Sequence, residues 1–157
     1  MEKNSTKSLK WLTGVVICFG LIALVMLVAQ TIGFFFGNPD AQKVVWIEGV
    51  KFLQVTIAVL RFLGSIALFA SIVGFMLNSI KALNNGVLFP RVNIKLLFMA
   101  AGSAFVFLFC NTNVPMILGV EVFQLDFEEI LVPAIICTFA ILYRKAVQVS
   151  EENSLTI

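Results

Sequence analysis

Few side chains in this 157-residue chain are able to do chemistry, and the most unusual of them is Arg61. It is the only charged residue between Phe52 and Ile80, in an otherwise apolar stretch. An ionisable group is costly inside a membrane, so at such a position it is a candidate functional residue. A guanidinium there would either pair with a carboxylate or face an anionic ligand.

The remaining chemistry is mostly excluded by composition. The chain contains no His, which removes zinc proteases, His-based triads and haem ligation by His. Cys18, Cys110 and Cys137 lie within apolar segments, where cysteine usually behaves as a small hydrophobic residue. Since no glycine-rich phosphate loop or nucleophile motif occurs either, we predict a non-enzymatic protein with no catalytic residue, no metal site and no cofactor.

The elements that position Arg61 follow from composition. Apolar residues make up 60% of the chain, charged residues only 13%, and the mean hydropathy is +1.01. A soluble domain of this size needs more charge to cover its surface, so these values indicate a membrane protein. A formal net charge of +2 predicts no direct nucleic-acid partner, and membrane lipids are the expected surroundings.

Charges fall in blocks that separate four apolar segments. A helix needs about 20 apolar residues to cross a bilayer, and the last segment reaches that length only if it begins near Phe127. The first apolar run is too long for a signal core and lacks a cleavage site, so we expect a retained helix. The sequence predicts a single domain and an all-α membrane protein, a four-transmembrane-helix bundle with helices at about 11–36, 54–83, 94–118 and 127–146.

Orientation follows from the basic residues near each helix end. Eight lie in the N-terminus, the second loop and the tail, and two lie in the first loop; the eight are Lys3, Lys7, Lys10, Lys81, Arg91, Lys95, Arg144 and Lys145. The third loop, "EVFQLDFEE", is acidic. We therefore predict that both termini and the second loop are cytoplasmic.

Turn residues refine the loops. "NNG" at 84–86 suits a helix C-terminus that Gly86 closes in the left-handed conformation. Asn93 is a candidate cap for the third helix, and Pro115 bends or ends that helix. The outer loops "KVVWIEGVK" and "GVEVFQLDFE" partly alternate apolar and polar residues, which predicts short strands or segments lying flat at the headgroup level.

Polar residues from all four helices reach one depth. Counted from the cytoplasmic ends at about 1.5 Å per residue, a common layer about 21–30 Å up contains Gln30, Arg61, Asn111, Asn113, Glu128 and Glu129. Two interpretations compete. Arg61 pairs with Glu128 or Glu129 as structural glue, which we favour because ionisable groups in membranes usually pair. Alternatively, the layer is the floor of an outward-facing pocket for a ligand or lipid headgroup.

Two stretches resemble a known family. The tail "LYRKAVQVSEENSLTI", residues 142–157, and the second-loop stretch "NNGVLFPRVNIKLLFMAAG" are similar to a bacterial family of four-helix membrane proteins known only as a domain of unknown function. The matching positions include Gly86, Phe89, Asn93, Glu152, Leu155, Thr156 and Ile157; Ala146 stands where the family usually has Gly. Family members are often encoded beside a Cro-type helix-turn-helix repressor. The resemblance implies a regulatory or sensory role in the bacterial cytoplasmic membrane, with a transcriptional regulator as cytoplasmic protein partner.

Three function classes stay open. The first is a non-enzymatic sensor or regulator, in which the tail docks on the 86–93 loop or presents a peptide to a cytoplasmic partner. The second is a small transporter or channel, disfavoured because the inner halves of the helices offer few polar residues beyond Asn78 and Ser79. The third is a structural subunit that assembles a membrane complex through small-residue helix faces.

Overall fold

The computed structural model describes residues 2–36, 44–120 and 122–154 of the chain. It contains five helices: α1 Glu2–Phe36, α2 Lys51–Asn84, α3 Val92–Thr112, α4 Val114–Ile117 and α5 Phe127–Ser154. Four of them, α1, α2, α3 and α5, are long and apolar enough to cross a membrane. The all-α fold with four candidate transmembrane helices is confirmed, and the chain is a multi-pass membrane protein.

Three helix boundaries differ from the sequence prediction for identifiable reasons. The first helix begins at Glu2 instead of near residue 11, because the polar residues before Trp11 lie outside an apolar span but do not prevent a helix. The third predicted helix is divided at Asn113 into α3 and α4, because Pro115 at the start of α4 has no N–H to continue the ladder of α3. The last helix continues to Ser154 instead of ending near residue 146. Charged residues end a membrane span but are good helix formers, so the helix itself continues past them.

The long helices lie in a row. The backbone of α1 contacts α2, α2 contacts α3, and α3 contacts α5, while the short α4 rests on α2 and α3. Within the part of the chain that the structure describes, the backbones of α1 and α5 do not meet. Large apolar side chains such as Phe19, Phe52 and Phe139 are therefore exposed. A bilayer provides the apolar surroundings that such faces require.

We name the two ends of the row by what they carry. The terminal end carries the start of α1, the end of α5 and the α2–α3 connection of residues 85–91. The long-loop end carries residues 44–50, α4, residues 118–120 and residues 122–126.

Helices α2 and α3 pack closely through small residues. A Cβ atom added at Gly64 would lie 3.1 Å from the backbone nitrogen of Phe107. Ala101 and Ala104 of α3 are buried. Small residues allow close backbone approach where no hydrophobic effect drives helices together, and this pair makes the most extensive helix–helix contact among the described residues.

The long-loop end is held together by the side chain of Gln54 in α2. Its amide nitrogen donates to the carbonyls of Val45 and Met116 at 2.8 and 2.9 Å, and its oxygen accepts from the N–H of Ile47 at 3.2 Å. Gly119 lies close to Val45 here: a Cβ added at Gly119 would be 2.6 Å from Cβ of Val45, and the φ of +90° also favours glycine.

The short strands predicted in the outer loops are wrong for the described residues, where no strand forms. Their backbone groups have other hydrogen-bond partners. The N–H of Val44 donates to the carbonyl of Phe34, and the side chain of Gln54 bonds to the carbonyl of Val45 and the N–H of Ile47. No second extended segment is needed to satisfy them.

The α2–α3 connection is a tight turn. Gly86 has a φ of +73°, which confirms the left-handed conformation predicted for it. The prediction that Asn93 caps α3 is wrong, because Arg91 occupies the cap position and Asn93 lies inside the helix. The backbone of Asn93 donates to the carbonyl of Pro90, so α3 starts earlier than the sequence suggests.

Candidate functional site

Three of the six predicted layer residues, Arg61 and its two partners Gln30 and Asn111, are joined by hydrogen bonds. The guanidinium Nε donates to Oδ1 of Asn111 at 3.1 Å, and Nη2 donates to Oε1 of Gln30 at 2.9 Å. Arg61 itself is only 7% exposed. One arginine of α2 thus connects α1 to α3 near the long-loop end.

The favoured ion pair between Arg61 and Glu128 or Glu129 is wrong. Glu128 is exposed. Glu129 is 1% exposed, but neither of its oxygens has a hydrogen-bond partner among the described residues. In the row, α3 lies between α2 and α5. Equal depth therefore does not bring the two charges into contact.

Asn113 has a structural role instead. Its amide nitrogen donates to the carbonyls of Phe109 and Gln124 at 2.8 and 2.9 Å, and its oxygen accepts from the N–H of Gln124 at 3.0 Å. The amide of Asn113 thus bonds to both the N–H and the carbonyl of Gln124, as the backbone of a neighbouring strand would. It holds Gln124 against the end of α3, and the hydrogen bonds of Arg61 do not involve it.

The positive charge of the layer can attract an anion. Two neutral amides accept hydrogen bonds from Arg61 without cancelling its charge. No carboxylate of the described residues forms an ion pair with it, and no group of residues there could hold a metal ion. The positive charge stays available to a ligand.

A second cluster lies at the terminal end around Tyr143 of α5. Asn93 is fully buried, and its amide nitrogen donates to Oγ of Ser79 at 2.8 Å and, at 3.4 Å, to the hydroxyl of Tyr143. The ring of Tyr143 packs edge-on against Phe75 and Phe89, with centroids 5.8 and 5.6 Å apart. Phe89 and Asn93, both highlighted by the family resemblance, thus converge on one tyrosine.

The α2–α3 connection is also clasped to α5 by two charged hydrogen bonds. Nε and Nη2 of Arg91 donate to the two carboxylate oxygens of Glu151. We call this fork-to-fork pair the clasp; its two side chains are 75% and 40% exposed. The hydrogen bond to Glu151 raises the pKa of Arg91 above its ordinary value.

Sequence reasoning located this region but missed its contacts. Neither Tyr143, Ser79 nor Arg91 was expected to make them. The single tyrosine of the chain, at the junction of an apolar segment and a charged tail, was the available signal. Glu152 lies in the last turns of α5, and the matching positions Leu155, Thr156 and Ile157 lie outside the described residues.

We expect Glu129→Met to raise thermal stability in detergent. A buried carboxyl group whose oxygens lack donors carries a desolvation cost of about 1–3 kcal/mol, which an apolar side chain of similar shape removes. Differential scanning fluorimetry checks this, with the exposed neighbour change Glu128→Met as matched control. A lower melting temperature for Glu129→Met alone would mean that the carboxyl group has a stabilising partner.

Comparison with protein-family models, with curated proteins and with solved structures finds no match to this chain. The contacts of its own residues carry the functional argument.

Proposed function

We propose that the chain is a non-enzymatic regulatory or sensory component of a bacterial cytoplasmic membrane, with both termini and the terminal end on the cytoplasmic side. The observation that carries this proposal is the clasp between Arg91 and Glu151. It fixes the end of α5, residues 144–154, beside the α2–α3 connection. A composite polar surface of this kind suits a soluble protein partner.

The chemistry of that surface supports an output role. Arg144 and Lys145 begin the polar end of α5, and Glu151 and Glu152 follow within the same helix. Both signs of charge therefore lie on one helical segment next to Arg91, which favours specific recognition over general attraction to anionic lipid. The proposed partner is a cytoplasmic transcriptional regulator, as the family resemblance implies.

Transport is less well supported by the contacts in the part of the protein between the Arg61 layer and the cluster around Tyr143. Ser65 and Ser71 are the buried hydroxyls on α2 in this interval, and each bonds to a carbonyl of its own helix. The cavity beside Ser65 is lined by apolar side chains. A solute path would need a connected series of polar groups, and these hydroxyls do not provide one.

We expect deletion of residues 149–157 to leave the membrane helices folded and to remove binding of the cytoplasmic partner. The deletion touches no apolar span but removes Glu151 and hence the clasp. Co-purification from cells, quantified by mass spectrometry, measures the binding, and circular dichroism of the purified variant checks the fold. Unchanged partner recovery would contradict the proposal, as would Arg61-dependent movement of a solute by the purified protein in vesicles.

The proposed orientation predicts the accessibility of single cysteines in a variant that lacks Cys18, Cys110 and Cys137. A cysteine at Gln124, in the exposed part of the long-loop end, should react with a membrane-impermeant maleimide added to whole cells. A cysteine at Val87, in the α2–α3 connection, should react only after the cells are opened. Labelling of Val87→Cys from outside would reverse the topology and remove the basis for a cytoplasmic partner.

A further inference from the structure

An apolar groove of about 470 Å³ lies between α1 and α2. Ligand sites in proteins have volumes of about 300–1,000 Å³. Its lining includes Gly20, Ala23 and Leu27 of α1, Ser65 and Ile72 of α2, and Phe107 of α3. Because α1 has no backbone neighbour other than α2 among the described residues, the groove opens sideways, towards the bilayer.

Arg61 stands at one end of this groove. Ser65 lines it one helical turn from Arg61, and Leu27 lines it one turn from Gln30, the partner of Arg61. Residues three or four apart share a helix face, so the polar layer closes the groove on the long-loop side. The apolar lining continues from there to Ile72.

The guanidinium still has donors to offer. The hydrogen bonds of Arg61 use Nε and Nη2, and Nη1 has none with any described residue. Nη1 is not among the enclosed polar atoms that lack a partner, so it is reachable from outside. No carboxylate of the described chain neutralises the charge. An anion is therefore the complementary occupant.

The length of the groove matches one leaflet. From Arg61 to Ile72 the rise along α2 is about 16 Å at 1.5 Å per residue, close to half of the ≈ 30 Å hydrocarbon core. One hydrocarbon chain of a lipid therefore matches the length and the apolar lining of the groove.

We propose that this groove binds an anionic glycerophospholipid of the leaflet on the long-loop side. Its phosphate accepts hydrogen bonds from Arg61, and one acyl chain lies against Ala23, Leu27 and Ile72. Arg61 acts as the specific headgroup ligand, and the groove lined by Ala23, Leu27 and Ile72 as the tail site. This assignment does not depend on the proposed regulatory role or on which end faces the cytoplasm.

The test is lipid retention by the purified full chain in mild detergent, measured by native mass spectrometry after addition of phosphatidylglycerol or phosphatidylcholine. We expect one phosphatidylglycerol per chain, held at least about 10-fold more tightly than phosphatidylcholine, because the guanidinium of Arg61 repels the choline ammonium that lies beside the phosphate, whereas phosphatidylglycerol carries no such cation. Arg61→Gln should remove this preference. Lys51→Gln, which removes an exposed cation at the same long-loop end, is the matched control and should keep it.

A second variant separates the tail site from the headgroup site and protects the test against misfolding. Ala23→Phe fills the groove without touching the hydrogen bonds of Arg61, and should lower retention of both lipids about 10-fold or more. Arg61→Lys keeps the charge and should keep the preference for phosphatidylglycerol. Equal retention of the two lipids by the unmodified chain, or full retention by Ala23→Phe, would overturn the proposal. A dimer that Ala23→Phe dissociates would overturn it too, because a second copy would then occupy the groove.

Discussion

Replacing Gln54 with leucine is expected to lower the unfolding free energy by about 3 kcal/mol, because three backbone groups lose their partner at once. The carbonyl of Met116 is the costliest of these, since that residue is buried. The groups of Val45 and Ile47 are nearer to solvent and recover part of the loss through water. A fall in melting temperature measured in detergent checks the prediction.

The matched control for Gln54→Leu is Gln124→Leu. Gln124 also lies at the long-loop end, but its side chain is exposed and its hydrogen bonds with Asn113 are made by the backbone. The control should therefore unfold like the unmodified chain. Equal melting temperatures for the two leucine variants would show that the Gln54 amide does not hold the loops.

The second large effect is expected for Gly64→Leu at the contact between α2 and α3. Even a single Cβ there would approach the backbone nitrogen of Phe107 to 3.1 Å, and a backbone atom cannot rotate away as a side chain can. The two helices must separate to admit a larger group. Overpacking of this kind costs about 1–3 kcal/mol or more. The melting temperature in detergent and the yield of monodisperse protein measure it.

Gly102→Leu on α3 controls for the loss of glycine and the added apolar surface. Gly102 is exposed, and a Cβ there would meet nothing within 4 Å. This change should be neutral or slightly stabilising, because leucine is a better helix former than glycine. If both leucine variants were tolerated equally, the close α2–α3 approach would not be a feature of the folded protein.

The membrane fold could be predicted from the sequence because bilayer thickness fixes how long a charge-free segment must be. Four such segments gave four helices at nearly the predicted places. Depth could also be predicted, since rise per residue is constant. Gln30, Arg61 and Asn111, predicted at one level, are in hydrogen-bond contact.

What could not be predicted was lateral order. Depth places Glu129 beside Arg61, but the row of helices inserts α3 between them.

The ends of the helices outside the apolar spans were also predicted wrongly, because the rules used apply to residues inside a bilayer. Lys145 and Glu151 rule out a longer span, yet they do not end a helix, so α5 continues to Ser154 and brings Glu151 to Arg91. Asn93 matched a cap by type alone, and a buried contact with Ser79 uses its side chain instead.

Exchange of charges across the clasp tests most directly whether the terminal end is the output surface. Arg91→Glu and Glu151→Arg each remove the two hydrogen bonds that fix the end of α5, whereas the double exchange restores opposite charges at the same positions. Lys51→Glu, at the exposed start of α2 on the long-loop end, controls for net charge. Recovery of the cytoplasmic partner with the full-length chain, quantified by mass spectrometry, should fall for each single change, return for the double exchange and persist in the control. Equal recovery for all four variants, or a double exchange that recovers no more partner than the single changes, would contradict the account.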